Sequence, residues 1–441
     1  MGTMILILAF ITETAFATYC MITKSNQEKV RSFIPIGLLA AFGLSTLASV
    51  IRWGFRWYGL AVLLFVWAAL GAWTLIGKKM EKKEYSAGRI VVKAVSMLLL
   101  VCIAVTPVLF FPQYTPPRMT GKYEVATVKY TYTDESRTEM FTHTSENRKV
   151  NVEFWYPKDT DGKYPLVVFS HGAFGMKASN TSTFMELAGN GYVVCSIDHP
   201  YHSFYTIGTD GHLIRADQSF IQEVIGANNG KYDEEAKFKL EQKWLKVRTK
   251  DMNFILDTIL AHAKDTGSGA VYQRIDPEKI GLMGHSLGGA ASAQVARERN
   301  DIDAVINLDA DLLGEYLAYV DGKYVMNDKI YPVPILTIYS DDMVRLIAAV
   351  KDPNDVIAVK HVTASAPKAY EVHIAGTNHM SLTDLPLVSP FLVSRIKKSV
   401  NIGGGHEANK YYIIEKMNDI VLEFFNVYLK GEGSFSSAGT Y

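Results

Sequence analysis

A serine, a histidine and one of several aspartates are the residues here whose types and spacing could do covalent chemistry. Gly284-His285-Ser286-Leu287-Gly288, followed by Gly289, is a G-x-S-x-G pattern. It stands between a strand-like run, Lys279–Met283, and a helix-like run, Gly289–Glu298. In that setting the pattern reads as a nucleophile elbow, a sharp strand-to-helix turn that lifts the Ser286 hydroxyl above a sheet edge. Glycines flank the serine because the turn brings two backbones together where larger side chains would clash. An ordinary glycine-rich turn is the competing reading, and the flanking strand and helix argue against it.

A serine hydroxyl attacks an ester at neutral pH only with a base beside it, itself oriented by an acid. On a sheet carrying such an elbow the chain order is serine, acid, histidine. His379 follows the last apolar run, Tyr370–Ile374, and is the expected base. His373 lies inside that run, His361 precedes it and His406 sits in a glycine-rich stretch, so these read as packed or surface histidines. The acid stays open between Asp309, after Ala304–Leu308, and Asp341, with Asp342, after Pro334–Tyr339. Both positions are C-terminal strand ends, where catalytic groups gather. Asp311 is expected to point elsewhere, and any of these acids could cap a helix or turn. An oxyanion needs two backbone donors. One is the Leu287 N–H, and the other is expected from Ala173 in the loop Ser170–Gly175, with His171 as a structural buttress. This chemistry needs no metal or organic cofactor, and the chain contains no CxxC or HExxH.

Such residues must be held by a sheet. Val125–Tyr132 and Val150–Tyr156 alternate like antiparallel strands. Pro165–Ser170, Tyr192–Ile197, Lys279–Met283, Ala304–Leu308, Pro334–Tyr339 and Tyr370–Ile374 are short apolar runs, as in strands buried on both faces. Helical stretches at Thr183–Gly189, Asp233–Lys264, Gly289–Glu298 and Met343–Ala349 separate them, and Lys410–Lys430 closes the chain against Gly431. The fold class is therefore α/β, a mostly parallel doubly wound sheet spanning 123–441. Residues 200–250 exceed a plain connection and predict a lid, beginning with a hairpin turn near Thr206–Gly211.

The chain has 441 residues, 45 Lys and Arg against 45 Asp and Glu, and no net charge. A nucleic-acid protein held by a general basic field is excluded. The balance hides a split: residues 1–112 carry 11 basic and 4 acidic residues, leaving 34 and 41 beyond. Four apolar runs, about 4–22, 33–51, 57–76 and 90–111, are each near the roughly 20 residues that cross a bilayer. The first could be a signal peptide, but no basic residue precedes it and Glu13 lies inside it, so an uncleaved span is expected. Glu13 is expected to pair between helices or stay protonated rather than act as a relay. Basic loops after spans one and three, with Lys24, Lys29, Arg31, Lys78, Lys79, Lys82, Lys83 and Arg89, predict a cytoplasmic face there. A multi-pass membrane protein with its second domain on the extracytoplasmic side follows. Residues 112–122, rich in proline, read as a stiff linker. Trp53, Trp57 and Tyr58 would sit at the outer boundary. Three cysteines exclude a disulfide scaffold.

The segments VVFSHGAFG, VCSIDHPYHS, RIDPEKIGLMGHSLGGA, AVINLDAD and EVHIAGTNHMSLTD resemble the plasma-type (isoform II) platelet-activating factor acetylhydrolases. That family is an α/β-hydrolase branch near the dienelactone hydrolases, and the likeness spans about residues 145–430. It implies Asp309 as the acid, 23 residues past Ser286, with His379 as base and Ala173 and Leu287 as oxyanion donors. It also implies calcium-independent cleavage of short or oxidised acyl groups from phospholipids. Leu287 replaces the family's usual Phe, and Ala310-Asp311 replaces an aromatic after the acid. The expected protein is a membrane-anchored serine hydrolase of carboxylic esters, with lipid or small-molecule esters as substrates. A peptidase or xenobiotic esterase on the same fold, and a non-catalytic membrane sensor or transporter, are the alternatives.

Overall fold

A run of Val, Ile and Leu bounded by turn residues becomes a strand when both faces are covered, and most of this sheet is built that way. The computed structural model describes residues 1–77, 84–350, 357–400 and 408–441. It forms two compact units, Met1–Thr115 with Leu387–Ser394, and Pro116–Pro386 with Arg395–Tyr441.

The second unit is an α/β-hydrolase fold. Strands β1 (Val125–Thr138) and β2 (Asn147–Pro157) are antiparallel and carry one edge of a nine-stranded sheet. Next come β4 (Val193–Asp198), β3 (Tyr164–Ser170), β7 (Ile275–His285), β8 (Ala304–Leu308), β11 (Ile335–Tyr339), β12 (Ala369–His373) and β13 (Gly439–Thr440). From β4 onward every neighbouring pair is parallel. The hairpins β5–β6 (Tyr205–Ile207, Leu213–Arg215) and β9–β10 (Tyr316–Val320, Lys323–Met326) lie outside this sheet. Every residue of β4, β8 and β11 is buried. Helices cover the sheet, among them α7 (Glu234–Lys264), whose Met252, Ile255, Leu256 and Ile259 enter the core at helical spacing. The closing helix runs Lys410–Phe425, continues as one π-turn, Asn426–Lys430, and stops at Gly431 with φ 71°.

The β1–β2 ribbon is longer than the alternation predicts. Its extra rungs are polar, with Asp134 opposite Arg148, and Arg148 is buried in ion pairs with Glu139 and Asp251. Hydrophobic periodicity does not register a strand that buries charge.

Among its described residues the first unit holds four helices long and apolar enough to cross a membrane: α1 (Gly2–Ile22), α2 (Glu28–Leu47), the segment Phe55–Ile76 containing α3 (Tyr58–Ile76), and α4 (Ala87–Phe110). Leu8, Phe10, Trp73, Val92 and Ile103 face outward, as residues meeting hydrocarbon do. The second helix begins five residues before the apolar run and ends four before its predicted limit. Arg31 therefore belongs to a helix rather than to a loop, 3.5 Å from Glu13 on α1. The pairing expected for Glu13 is present. Trp57 is wholly buried against Phe42, whereas Trp53 and Tyr58 are exposed. Lys78, Lys79, Lys82, Lys83 and His406 lie outside the described residues.

Candidate active site

Ser286 occupies the turn between β7 and α9 (Leu287–Glu298; α5, α6 and α8 are Thr181–Gly189, Gln218–Asn228 and Ala270–Gln273). Its φ of 55° and ψ of −131° are strained for a residue with a side chain. The surroundings enforce that strain. The Ser286 N–H is held by the Leu308 carbonyl at 2.9 Å, and Gly289 N–H bonds back to the Ser286 carbonyl at 2.7 Å. A Cβ on Gly284 would come within 2.1 Å of the Gly288 carbonyl, and one on Gly288 within 2.0 Å of the Ser170 carbonyl. The strand, helix and neighbouring β3 meet only because those positions are glycine. Ser286 remains partly exposed.

On the adjacent strand, Asp309 follows β8 with φ 59°. Its Oδ2 lies 2.7 Å from His379 Nδ1. The Ser340 N–H donates to Oδ1 at 2.6 Å and the Ser340 hydroxyl to Oδ2 at 2.7 Å. Burial alone would push this carboxyl up, but the His379 and Ser340 hydrogen bonds outweigh it and hold the pKa below the ordinary Asp range. Asp309 is therefore an anion that orients one imidazole nitrogen. Asp341 sits elsewhere: its Oδ1 pairs with His373 Nε2 at 2.7 Å and its Oδ2 accepts the Gly376 N–H at 3.1 Å. Asp342 accepts the backbone N–H of His379 at 2.9 Å, fixing that turn rather than the ring. Asp311 accepts from the Tyr316 hydroxyl and from the Leu312 and Val359 N–H groups. His361 bonds the Asn327 carbonyl.

His285, next to the serine, joins the elbow to the His379 turn. Its Nε2–H donates to the His379 carbonyl at 2.8 Å, and the two rings lie 4.5 Å apart. Burial and the adjacent His379 hold its pKa down to about 3, so it is neutral. His285 occupies the variable position of the G-x-S-x-G motif, so the pattern carries no signal for it. The Ser286 hydroxyl makes no hydrogen bond among the described residues. A hydroxyl-to-imidazole contact that closes only with substrate bound is common in unliganded hydrolases.

The loop after β3 stands against the serine, since a Cβ on Gly172 would lie 3.0 Å from Ser286 Cβ. Among the described residues neither the Ala173 nor the Leu287 N–H has a hydrogen-bond acceptor, which leaves two open donors beside the elbow. Ala173, Phe174, Leu287 and Leu313 pack around Phe220, Val224 and Trp244, contributed by α6 and α7. The 200–250 segment thus forms an apolar wall of this site. His171 is fully buried, with Nε2 paired to Ser203 at 2.8 Å and Nδ1–H donating to the Gly172 carbonyl at 2.6 Å.

A second Ser–His–Asp chain lies nearby. Ser170 Oγ is 2.9 Å from His199 Nε2, and His199 Nδ1 is 3.0 Å from Asp251. Its links are as good as those at Asp309, but Ser170, His199 and Asp251 are all fully buried. His379 keeps 27% of its side chain exposed. Access separates the two sets.

The profile of the family described as platelet-activating factor acetylhydrolase, isoform II, matches residues 119–437. The chain belongs to this family. Platelet-activating factor acetylhydrolase from Canis lupus familiaris is 25% identical over 258 residues, 54% of this chain and 52% of that one. The chain spans about half the length of the first curated acetylhydrolases it matches. Cutinase est2 of Thermobifida alba is 39% identical over 154 residues, 35% of this chain and 37% of the cutinase. These relatives are carboxylic ester hydrolases. The structure of a ferulic acid esterase from Streptomyces cinnamoneus superposes with a TM-score of 0.55 at 20% identity, covering 72% of this chain and 93% of that one, a likeness of fold. Leu287 is buried against Phe220, Val224 and Trp244, and Ala310 is buried in the main core.

Proposed function

We propose that this acetylhydrolase-family chain is a membrane-anchored serine hydrolase of carboxylic esters, acting on lipid or phospholipid acyl groups. The observation that carries the reading is the Asp309–His379 bond beside the strained Ser286 elbow. Ser286 Oγ attacks the acyl carbon while His379 takes its proton. The proton passes to the departing alkoxide, leaving an acyl-enzyme. His379 then activates water, which releases the acid and restores Ser286. Asp309 keeps the Nδ1–H tautomer and balances the imidazolium charge. The Leu287 and Ala173 N–H groups receive the oxyanion. No step requires a metal or organic cofactor.

The four apolar helices support membrane anchoring. Lys24, Lys29 and Arg89, at the ends of the helices, support an extracytoplasmic catalytic unit. The apolar wall around Phe220 suits an acyl chain. The cutinase likeness keeps a second reading alive, a broader esterase that accepts non-phospholipid esters. The test is fluorophosphonate labelling of purified protein, then turnover of glycerophospholipids and simple esters with acyl chains of increasing length. Labelling with turnover of short-chain phospholipids supports the proposal. Absence of both overturns it, and turnover of simple esters alone favours the second reading.

A further inference from the structure

The guanidinium of Arg248 on α7 is completely buried, and among the described residues it forms no ion pair with a carboxylate. Its natural partner, Asp251, lies one turn further along α7. That carboxylate is engaged by Arg148, Arg137 and His199 at 2.7 to 3.0 Å. Arg248 instead points its donors at the loop after β3. Nη1 donates to the His171 carbonyl at 2.6 Å and Nη2 to the Gly172 carbonyl at 3.2 Å. Nε donates to His202 Nδ1 at 3.3 Å, and His202 stacks on Phe220 at 3.8 Å.

A buried charge solvated by carbonyls and neutral rings is costly, so its position calls for an explanation beyond packing. A trans peptide carries its C=O and the next N–H in opposite directions. Holding the Gly172 carbonyl toward Arg248 therefore turns the Ala173 N–H away from it. That N–H is one of the two open donors beside the elbow, on a loop where a Cβ added at Gly172 would lie 3.0 Å from the serine Cβ. His171 shares the Gly172 carbonyl and keeps it from rotating. The fixed cation also stands one peptide unit behind a donor aimed at developing negative charge.

We propose that Arg248 is a positioning residue for ester hydrolysis, presetting the Ala173 N–H and reinforcing the positive potential of the oxyanion hole. This rests on the serine-hydrolase reading above. Neither a loop motif nor the family's triad points to Arg248, which lies 38 residues before the nucleophile on the chain.

The test compares wild type, Arg248→Gln and Arg248→Lys in the full-length protein, using an ester and its matching thionoester. Sulfur accepts hydrogen bonds poorly, so a thionoester gains little from an oxyanion hole. Arg248→Gln is expected to lower kcat for the ester roughly 10²–10³-fold, with KM within about threefold, as loss of an oxyanion donor does. The ester-to-thionoester preference should fall with it, and Arg248→Lys should recover part of both. If Arg248→Gln does not fold, the Lys variant supplies the same ratio. A folded variant whose kcat falls while that ratio stays at the wild-type value overturns the proposal and leaves Arg248 a structural brace. Retained turnover in Ser286→Ala overturns the underlying hydrolase reading instead, and this proposal with it.

Discussion

Asp309 and His379 are 70 residues apart in the chain and 2.7 Å apart in the structure, while Asp341 bonds His373 at the end of the adjacent strand pair. The two candidate acids thus serve different histidines. If the Asp309 pair is catalytic, its loss leaves His379 misoriented and its charge uncompensated. Asp309→Asn should lower kcat by roughly 10⁴ with little change in substrate binding. Asp341→Asn should stay within about tenfold of wild type, a barrier change of about 1.4 kcal/mol at most. Side-by-side kcat measurements on the two folded variants decide it, and a dead Asp341→Asn would move the acid to the later strand.

Ser286→Ala should abolish both hydrolysis and fluorophosphonate labelling, a loss of roughly 10⁶ in kcat. Because the hydroxyl holds no hydrogen bond among the described residues, the melting temperature should change little. Near-normal turnover by this variant would remove Ser286 as nucleophile.

Asp384 gives a pH prediction independent of catalysis. It is buried with Ser182, and burial, outweighing the Ser182 hydrogen bonds, pushes its carboxyl up to about 6. The folded state then binds more protons than the unfolded state between about pH 4 and 6. Stability from this group is present below the unfolded value and falls as pH rises toward 6. A shift of about two units corresponds to about 3 kcal/mol. Asp384→Asn should melt close to wild type near pH 4 and above it at pH 8. Equal melting temperatures at both pH values would contradict the assignment.

Membrane orientation is open to chemical labelling. Lys239 on α7 is well exposed, whereas Cys20 and Cys195 are buried. In a Cys102→Ser background, Lys239→Cys should react with an impermeant maleimide on intact cells. Reaction only after permeabilisation would place the catalytic unit on the cytoplasmic side.

Much of this molecule is local in origin. The elbow is written in Gly284, Gly288 and the flanking runs, because a strained turn admits few residue types and periodicity reports burial directly. The four apolar helices are equally local, since a lipid-facing helix is apolar on every side. Tertiary structure decided what depends on sequence-distant partners. Which aspartate meets His379 follows from the parallel order β8-β11-β12, which no local pattern encodes. The Ser170–His199–Asp251 chain could be set aside only once its burial was known. Arg31 read as a loop charge until α2 placed it opposite Glu13. No motif or periodicity marks Arg248 among the cations of its helix. Its meaning lies in two carbonyls, His171 and Gly172, and backbone groups are alike in every sequence until the fold aims them.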